Sequence, residues 1–183
     1  MKKEISLIIA IFTLLFSAIS IADVEESSYN EYCLEKGGMV ESMYAEFATA
    51  KGMQRGVRKD FCTFERDNGF IAIGLESFAT NSPNIAATMV QKLPPLTNDS
   101  PLWQGNYANP SLNVCTNLHG TSISLNVMSG GFTSRLGQAD ICVFGDGSMV
   151  SAWSLIYMAN GREGYDDVKN NVRSEPLAIN IGG

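Results

Sequence analysis

The sequence predicts an α+β fold of two tandem helix–strand–strand–helix repeats, with antiparallel hairpins, each repeat closed by one disulfide. Three observations carry this expectation. Cys33 recurs as Cys115, 82 positions on, and Cys62 recurs as Cys142, 80 positions on. The second cysteine of each pair sits in a similar segment, Asp60-Phe61-Cys62-Thr63-Phe64 and Asp140-Ile141-Cys142-Val143-Phe144. The first cysteine of each pair falls on a helical pattern that ends at glycine, Gly37-Gly38 in one case and Gly120 in the other. The chain divides accordingly: residues 1–22 as a signal peptide, 23–93 as the first repeat, 94–108 as a linker, and 109–183 as the second repeat with a C-terminal helix and tail.

The amino terminus reads as an export signal. Met1-Lys2-Lys3 is basic, Ile5 to Ile19 is an almost unbroken apolar run, and Ser20-Ile21-Ala22 supplies small residues for cleavage after Ala22. The run is short for a spanning helix, and an acidic segment with Asp23, Glu25 and Glu26 follows it. Removing residues 1–22 shifts the net charge from −6 to −7 and leaves 11 basic residues. An acidic chain is repelled by nucleic-acid phosphates and anionic lipid, so neither nucleic acid nor stable membrane insertion is expected.

In an oxidising compartment an even cysteine count favours disulfides. Four cysteines allow three pairings, and the repeat favours Cys33–Cys62 with Cys115–Cys142, because each repeat then closes itself. No Cys-x-x-Cys pair occurs and His119 is the only histidine, so no metal site is expected.

The elements follow in order. Ser28-x-x-Glu31 has the form of a capping box ahead of a short helix carrying Cys33. Asn109-Pro110 caps and opens the helix carrying Cys115. Ile123, Leu125 and Val127 alternate with Ser124 and Asn126 as a half-buried strand, and Met39, Met43, Ala45 and Phe47 alternate less cleanly around Glu41. Glycine-bearing loops follow, Ala48–Lys59 and Ser129–Gln138. After each second cysteine the pattern reads strand, polar turn, helix. Without a gap, Ala72, Leu75 and Ala79 match Ala152, Leu155 and Ala159. Ser148 is the expected cap of the second of these helices, Asn160-Gly161 its end, and Val150, Trp153 and Tyr157 its apolar stripe, with Trp153 a core anchor. A further short helix follows each repeat, one after Ser82-Pro83 and one around Tyr165, Val168 and Val172.

No residue presents itself as catalytic, and no cofactor is implied. Ser148 lies in Gly145-Asp146-Gly147-Ser148-Met149, which is not a nucleophile elbow. His119 falls at a helix end, where a cation favours the dipole. Asp60 and Asp140 are placed to satisfy backbone donors near the strand starts, and Asp166-Asp167 to form a solvated helix face. One electrostatic feature reverses the sign of the chain locally: Lys51, Arg55, Arg58 and Lys59 crowd the first repeat's long loop. These four are the candidate contact for an acidic partner, protein or glycan.

The second repeat resembles a family of small bacterial secreted proteins that carries a hemolysin label and is otherwise a domain of unknown function. The likeness rests on Asn109-Pro110, Cys115, Gly120, Cys142-Val143-Phe144-Gly145-Asp146-Gly147-Ser148 and Trp153. It covers about residues 109–161, and reaches 27–79 only through the repeat. His119 stands where the family has the first glycine of a Gly-Gly pair, and Gly145 where it has proline. Val150 and Asn160 stand where it places two further cysteines, as removal of one disulfide would leave them. The resemblance implies a bacterial source and a periplasmic or extracellular site. It attaches no mechanism to the label.

The sequence thus points to an exported, non-enzymatic interaction protein that binds another macromolecule and, in one version, acts on a host or competitor. Two other readings remain. One is a protease inhibitor, because disulfide-held loops resist cleavage and are preorganised for binding. The other is a membrane-active protein, after the family label, although the sequence lacks long alternating amphipathic strands and a second apolar helix.

Overall fold

The structure is a computed structural model that describes residues 21–127 and 138–181. The expected signal segment up to Ser20 and the expected second connecting loop up to Gly137 lie outside the described residues. None of the described helices is long and apolar enough to cross a membrane.

The first half runs α1 (Ile21–Glu35), β1 (Met39–Thr49), β2 (Gly52–Arg66), β3 (Gly69–Gly74), α2 (Leu75–Ala79) and α3 (Ile85–Lys92). After a 3-10 turn at Pro101–Trp103 come α4 (Pro110–Asn117), β4 (Thr121–Val127), β5 (Gln138–Val143), β6 (Met149–Ser151), α5 (Ala152–Ala159) and α6 (Asp166–Asn170). The chain is α+β, with disulfides Cys33–Cys62 and Cys115–Cys142. Both join a helix to a strand, α1 to β2 and α4 to β5, with Cα atoms 5.7 and 5.6 Å apart.

Two separate two-stranded units do not form. Each half contributes three strands, and the six close into one antiparallel barrel in the order β1-β2-β3-β6-β5-β4. The third strand was hidden by composition. Phe70-Ile71-Ala72-Ile73 is a continuous apolar run, and such a run fits a strand packed on both faces as well as a helix. Ile71, Ala72 and Ile73 are each fully buried. The ungapped matching of Ala72 to Ala152 is also overturned: Cys62 pairs with Ile73 and Cys142 with Val150, so Ile73 corresponds to Val150, 77 positions on. The offset shrinks because β2 continues to Arg66 before turning, whereas β5 stops at Val143.

Closure joins like to like. β1 pairs with β4 through Met43↔Val127 and Tyr44↔Asn126, and β3 with β6 through Ile73↔Val150. Side chains alternate across each strand, which divides the core. Met43, Ala45, Phe61, Ala72, Leu125 and Ile141 form one cluster inside the barrel. Cys62, Phe64, Ile71, Ile73, Cys142 and Val150 point the other way and pack with helix residues such as Phe78, Val90, Leu155 and Tyr165. A hairpin alone is marginal in water, whereas a closed barrel with helices over it buries both faces.

Reciprocal hydrogen bonds lock the halves together. Ser154 Oγ of α5 accepts from Ala72 N–H of β3 at 3.1 Å, and Ser77 Oγ of α2 accepts from Met149 N–H of β6 at 3.0 Å. Both serines are buried. The β2–β3 turn reaches the second half: Arg66 donates to Gly164 O at 2.8 Å and to Asp167 Oδ2 at 2.9 Å, and Asn68 to Glu163 O at 3.0 Å. Asp166 and Asp167 stand on an exposed face, as expected, and Asp167 engages Arg66 from the first turn of α6. The β5–β6 turn reaches the first half in the same way. Asp146 Oδ2 accepts from Ile85 N–H at 2.7 Å and Ser148 Oγ from Ala86 N–H at 2.8 Å, while Asn84 caps Ala87 N–H at 2.8 Å.

Ser148 is thus not the cap of the helix that follows it. It caps α3, far away in sequence, and the cap of α5 is Ser151. The strand β6 stands between Ser148 and α5, so Val150 belongs to that strand and not to a helical stripe. Trp153 and Tyr157 do share α5, stacked with ring centroids 5.5 Å apart. Ser28 is not a cap either, since it lies within α1. Asn109 does cap α4, with Pro110 at its first turn. The stretch read as a linker is packed: Leu96 and Leu102 are buried, and Leu96 N–H donates to Asn160 Oδ1 at 2.6 Å.

Asp146 makes the interlock sensitive to acid. Burial pushes its carboxyl up, but hydrogen bonds from the Ser148 hydroxyl and from the Ile85 and Ser148 N–H groups outweigh that and hold it below the ordinary value of 3.8. A depressed folded pKa contributes stability that is present above the unfolded value and lost as pH falls through the folded one. Asp146→Ala is therefore expected to cost about 1–2 kcal/mol at neutral pH, the range of a lost helix cap. The difference from wild type should shrink below a pH of about 3.8. Urea titrations on both sides of that pH check this; a gap that stays constant would show that the carboxylate charge is not involved.

Candidate functional site: the β1–β2 hairpin

β1 and β2 pair from Met39↔Thr63 out to Thr49↔Gly52. Their barrel neighbours stop much earlier. β3 pairs with β2 from Phe61 onward, and β4 pairs with β1 at Met43 and Tyr44. The outer part of the hairpin therefore extends past the described barrel ladders. The expected Ala48–Lys59 loop is not a loop: only Ala50 and Lys51 turn the chain, and residues from Gly52 on belong to β2. Gly52 takes a φ of 98°, and Thr49 Oγ1 locks the turn by donating to Gly52 O at 2.7 Å and accepting from Lys51 N–H at 3.2 Å. A bulge sets Gly56 and Val57 of β2 opposite Ala45, next to the described β1–β4 pairs at Met43 and Tyr44.

All four predicted cations are exposed on this hairpin. Lys51 sits at the tip and the others lie along β2. The Arg55 guanidinium lies over the Tyr44 ring, 4.2 Å from its centroid, with Nε 3.8 Å from Glu46 Oε1. Arg58 Nη2 is 3.4 Å from Asp60 Oδ2. These contacts orient the two arginines while their side chains stay 58 and 61% exposed. Such exposed pairs contribute little to stability. Two apolar side chains share the projection, Phe47 at 52% exposure and Met53 at 61%. Sequence reasoning placed Phe47 on the alternating inner face of its strand. It lies beyond the described β1–β4 pairs, and its ring covers Gly56, where an added Cβ would lie 2.7 Å from Phe47 Cε2.

The other singled-out residues lie elsewhere. Asp60 and Asp140 do not satisfy backbone donors; each accepts from a serine on the neighbouring strand, Ser42 Oγ at 2.5 Å and Ser124 Oγ at 2.6 Å. Asn109 Nδ2 adds 3.0 Å to Asp140 Oδ2. Each serine is the ladder partner of its aspartate, a relation that needs the register and is not visible along the chain. Among the described residues no group of three His, Cys, Asp or Glu side chains is placed to hold a metal ion. Open hollows of about 230 and 300 Å3 are lined by Pro94–Leu102 segment residues and by Gln91 with the Lys169–Pro176 segment. Neither includes Ser148, His119 or the hairpin cations.

His119 is exposed and backbone-determined. It takes a φ of 63°, the left-handed position that Gly37 takes at 78° at the end of α1. Both helices end in the same paired bonds, Gly38 N–H to Cys33 O at 3.0 Å and Gly120 N–H to Cys115 O at 2.9 Å. A non-glycine residue there costs about 1 kcal/mol. His119→Gly is expected to raise stability by about that amount, read as the midpoint shift in urea at constant slope. A decrease would show that the imidazole makes a favourable contact.

Comparison with protein-family profiles, with curated proteins and with solved structures finds no match to this chain.

Proposed function

We propose that this chain is an exported binding protein that engages an acidic macromolecule through the β1–β2 hairpin. One observation carries the reading: Lys51, Arg55, Arg58 and Lys59 project with exposed Phe47 and Met53 from a chain of net charge −6. Local sign reversal on an acidic protein steers an acidic partner to that patch and away from the rest of the surface. Exposed apolar groups beside the cations add area that contact would dry. The barrel supplies a rigid mount, which lowers the ordering cost of binding.

Export is the second part of the proposal. Two disulfides are the chemistry of an oxidising, exported environment. The basic start, apolar run and small residues up to Ala22 support removal of residues 1–22, and the resemblance to a secreted bacterial family supports a periplasmic or extracellular destination. Tandem duplication of one ancestral unit accounts for the matching cysteines, helix ends and strand orders. The mature protein should begin at Asp23 in intact-mass analysis.

Binding is tested on two immobilised polyanions, heparin and polyglutamate. Wild type is expected to be retained at low salt despite its net charge, and to elute as ionic strength rises. The fourfold variant Lys51→Gln, Arg55→Gln, Arg58→Gln, Lys59→Gln should pass through. Equal behaviour of the two proteins on both matrices would reject the hairpin as the binding surface.

A further inference from the structure

We infer that the outer edge of β2, from Gly52 to Asp60, accepts an added β-strand from an extended acidic peptide segment of a partner protein. This rests on the reading of the hairpin as a binding surface, and narrows it to a backbone edge and a peptide.

The edge is set by register. On one side, Gly52 to Asp60 pair with β1 between Thr49 and Ser42. On the other side, β3 begins pairing only at Phe61. Among the described residues no strand pairs with that second side. A strand edge of this length presents a row of N–H and C=O groups, which is the template used in strand addition. Proteins blunt such edges with proline, with a bulge on the edge strand or with charged side chains. β2 contains no proline, and its bulge is a single step, Gly56 and Val57 together opposite Ala45, with regular pairing from Gly52 to Arg55 and from Arg58 to Asp60 on either side of it. The edge is guarded by positive charge, which turns away a neutral or basic strand and leaves an acidic one admissible.

Charge selects the occupant. Pairing opposite Glu46 and Tyr44 puts Arg55 and Arg58 on one face of β2, and Lys59, opposite Met43, lies on the other, with Lys51 at the tip. An incoming strand bearing carboxylates meets a cation on whichever face they point. The same arrangement disfavours a second copy of this chain, because two β2 edges laid together would place arginines and lysines opposite one another. A glycan fits less well, since it has no alternating amide donors and acceptors to complete the ladder. Met53, 61% exposed beside the tip, offers contact to an apolar residue alternating with the acidic ones.

The test uses the mature oxidised protein and a labelled alternating Glu–Val peptide as probe, with a Lys–Val peptide as control. Binding is followed by fluorescence anisotropy, and backbone engagement by amide hydrogen exchange across residues 52–60. The expected result is binding of the acidic peptide only, slowed exchange on β2 amides, and about tenfold weaker binding after Arg58→Glu with Lys59→Glu. Unchanged thermal unfolding of that variant establishes that it is folded. Peptide binding without amide protection would overturn strand addition while leaving the hairpin surface in place. Failure to bind the peptide with normal retention on heparin would overturn the peptide partner alone. Failure of both would overturn the underlying reading as well. A dimer of the free protein with the same amides protected would make a second copy the occupant and reject the inference.

Discussion

Replacing Cys115 and Cys142 together by alanine is expected to lower the unfolding free energy by about 3.5 kcal/mol, from the entropy of the loop they close. The bond spans 27 residues and joins the end of α4 to the end of the β4–β5 ladder, at the Ser122↔Cys142 pair. Cys33–Cys62 spans 29 and makes the same join in the first half, so the matching pair of alanines should cost a similar amount. For a chain of this length the loss corresponds to a fall in midpoint temperature of about 7–14 °C. All four sulfur-bearing residues are buried within the larger core cluster, so lost packing adds to the entropic cost. Calorimetry of the two double variants checks this. A loss under about 1 kcal/mol from either would show that its helix is held by packing alone.

Gly120→Ala should cost about 2–3 kcal/mol, the range of an overpacked core position. A Cβ on Gly120 would overlap Cys142 Sγ and lie 2.9 Å from Cys115 Sγ. Gly38 stands in the same relation to the other bond, with its Cβ 2.7 Å from Cys62 Sγ and 2.9 Å from Cys33 Sγ. Each helix therefore ends on a glycine because the chain must pass directly over the disulfide. That account has a sharp consequence. In a background with Cys115 and Cys142 both alanine, the sulfurs are gone and Gly120→Ala should cost at least about 1 kcal/mol less. Equal cost in both backgrounds would place the strain elsewhere, such as against the Cys115 carbonyl oxygen at 3.2 Å.

Much of the local structure was legible along the chain. Asn109-Pro110 fixed the start of α4, and Gly37-Gly38 marked the end of α1, because caps are decided by neighbouring residues. The disulfide pairs followed from recurrence of matched surroundings around cysteines. The third strands were not legible, since Phe70–Ile73 is apolar on both faces and carries no period. Nor was the length of the hairpin. Gln54 to Lys59 is mostly polar and glycine-bearing, so its strand character comes from pairing with β1 and not from its own pattern. The four cations were visible as charge. Their company was not: Phe47 alternates like a core residue, yet it is exposed beyond the described β1–β4 pairs.

By itself the sequence determined which cysteines join, where α4 begins, where α1, α4 and α5 end, and where the positive charge gathers, because all of these depend on residues close together or on recurring ones. Only the tertiary structure decided that two three-stranded halves share one barrel, that Asp146 and Ser148 cap a helix in the opposite half, and that the basic segment stands out as a paired edge. Those outcomes depend on register and on which buried faces meet, and neither is encoded in any single stretch of chain.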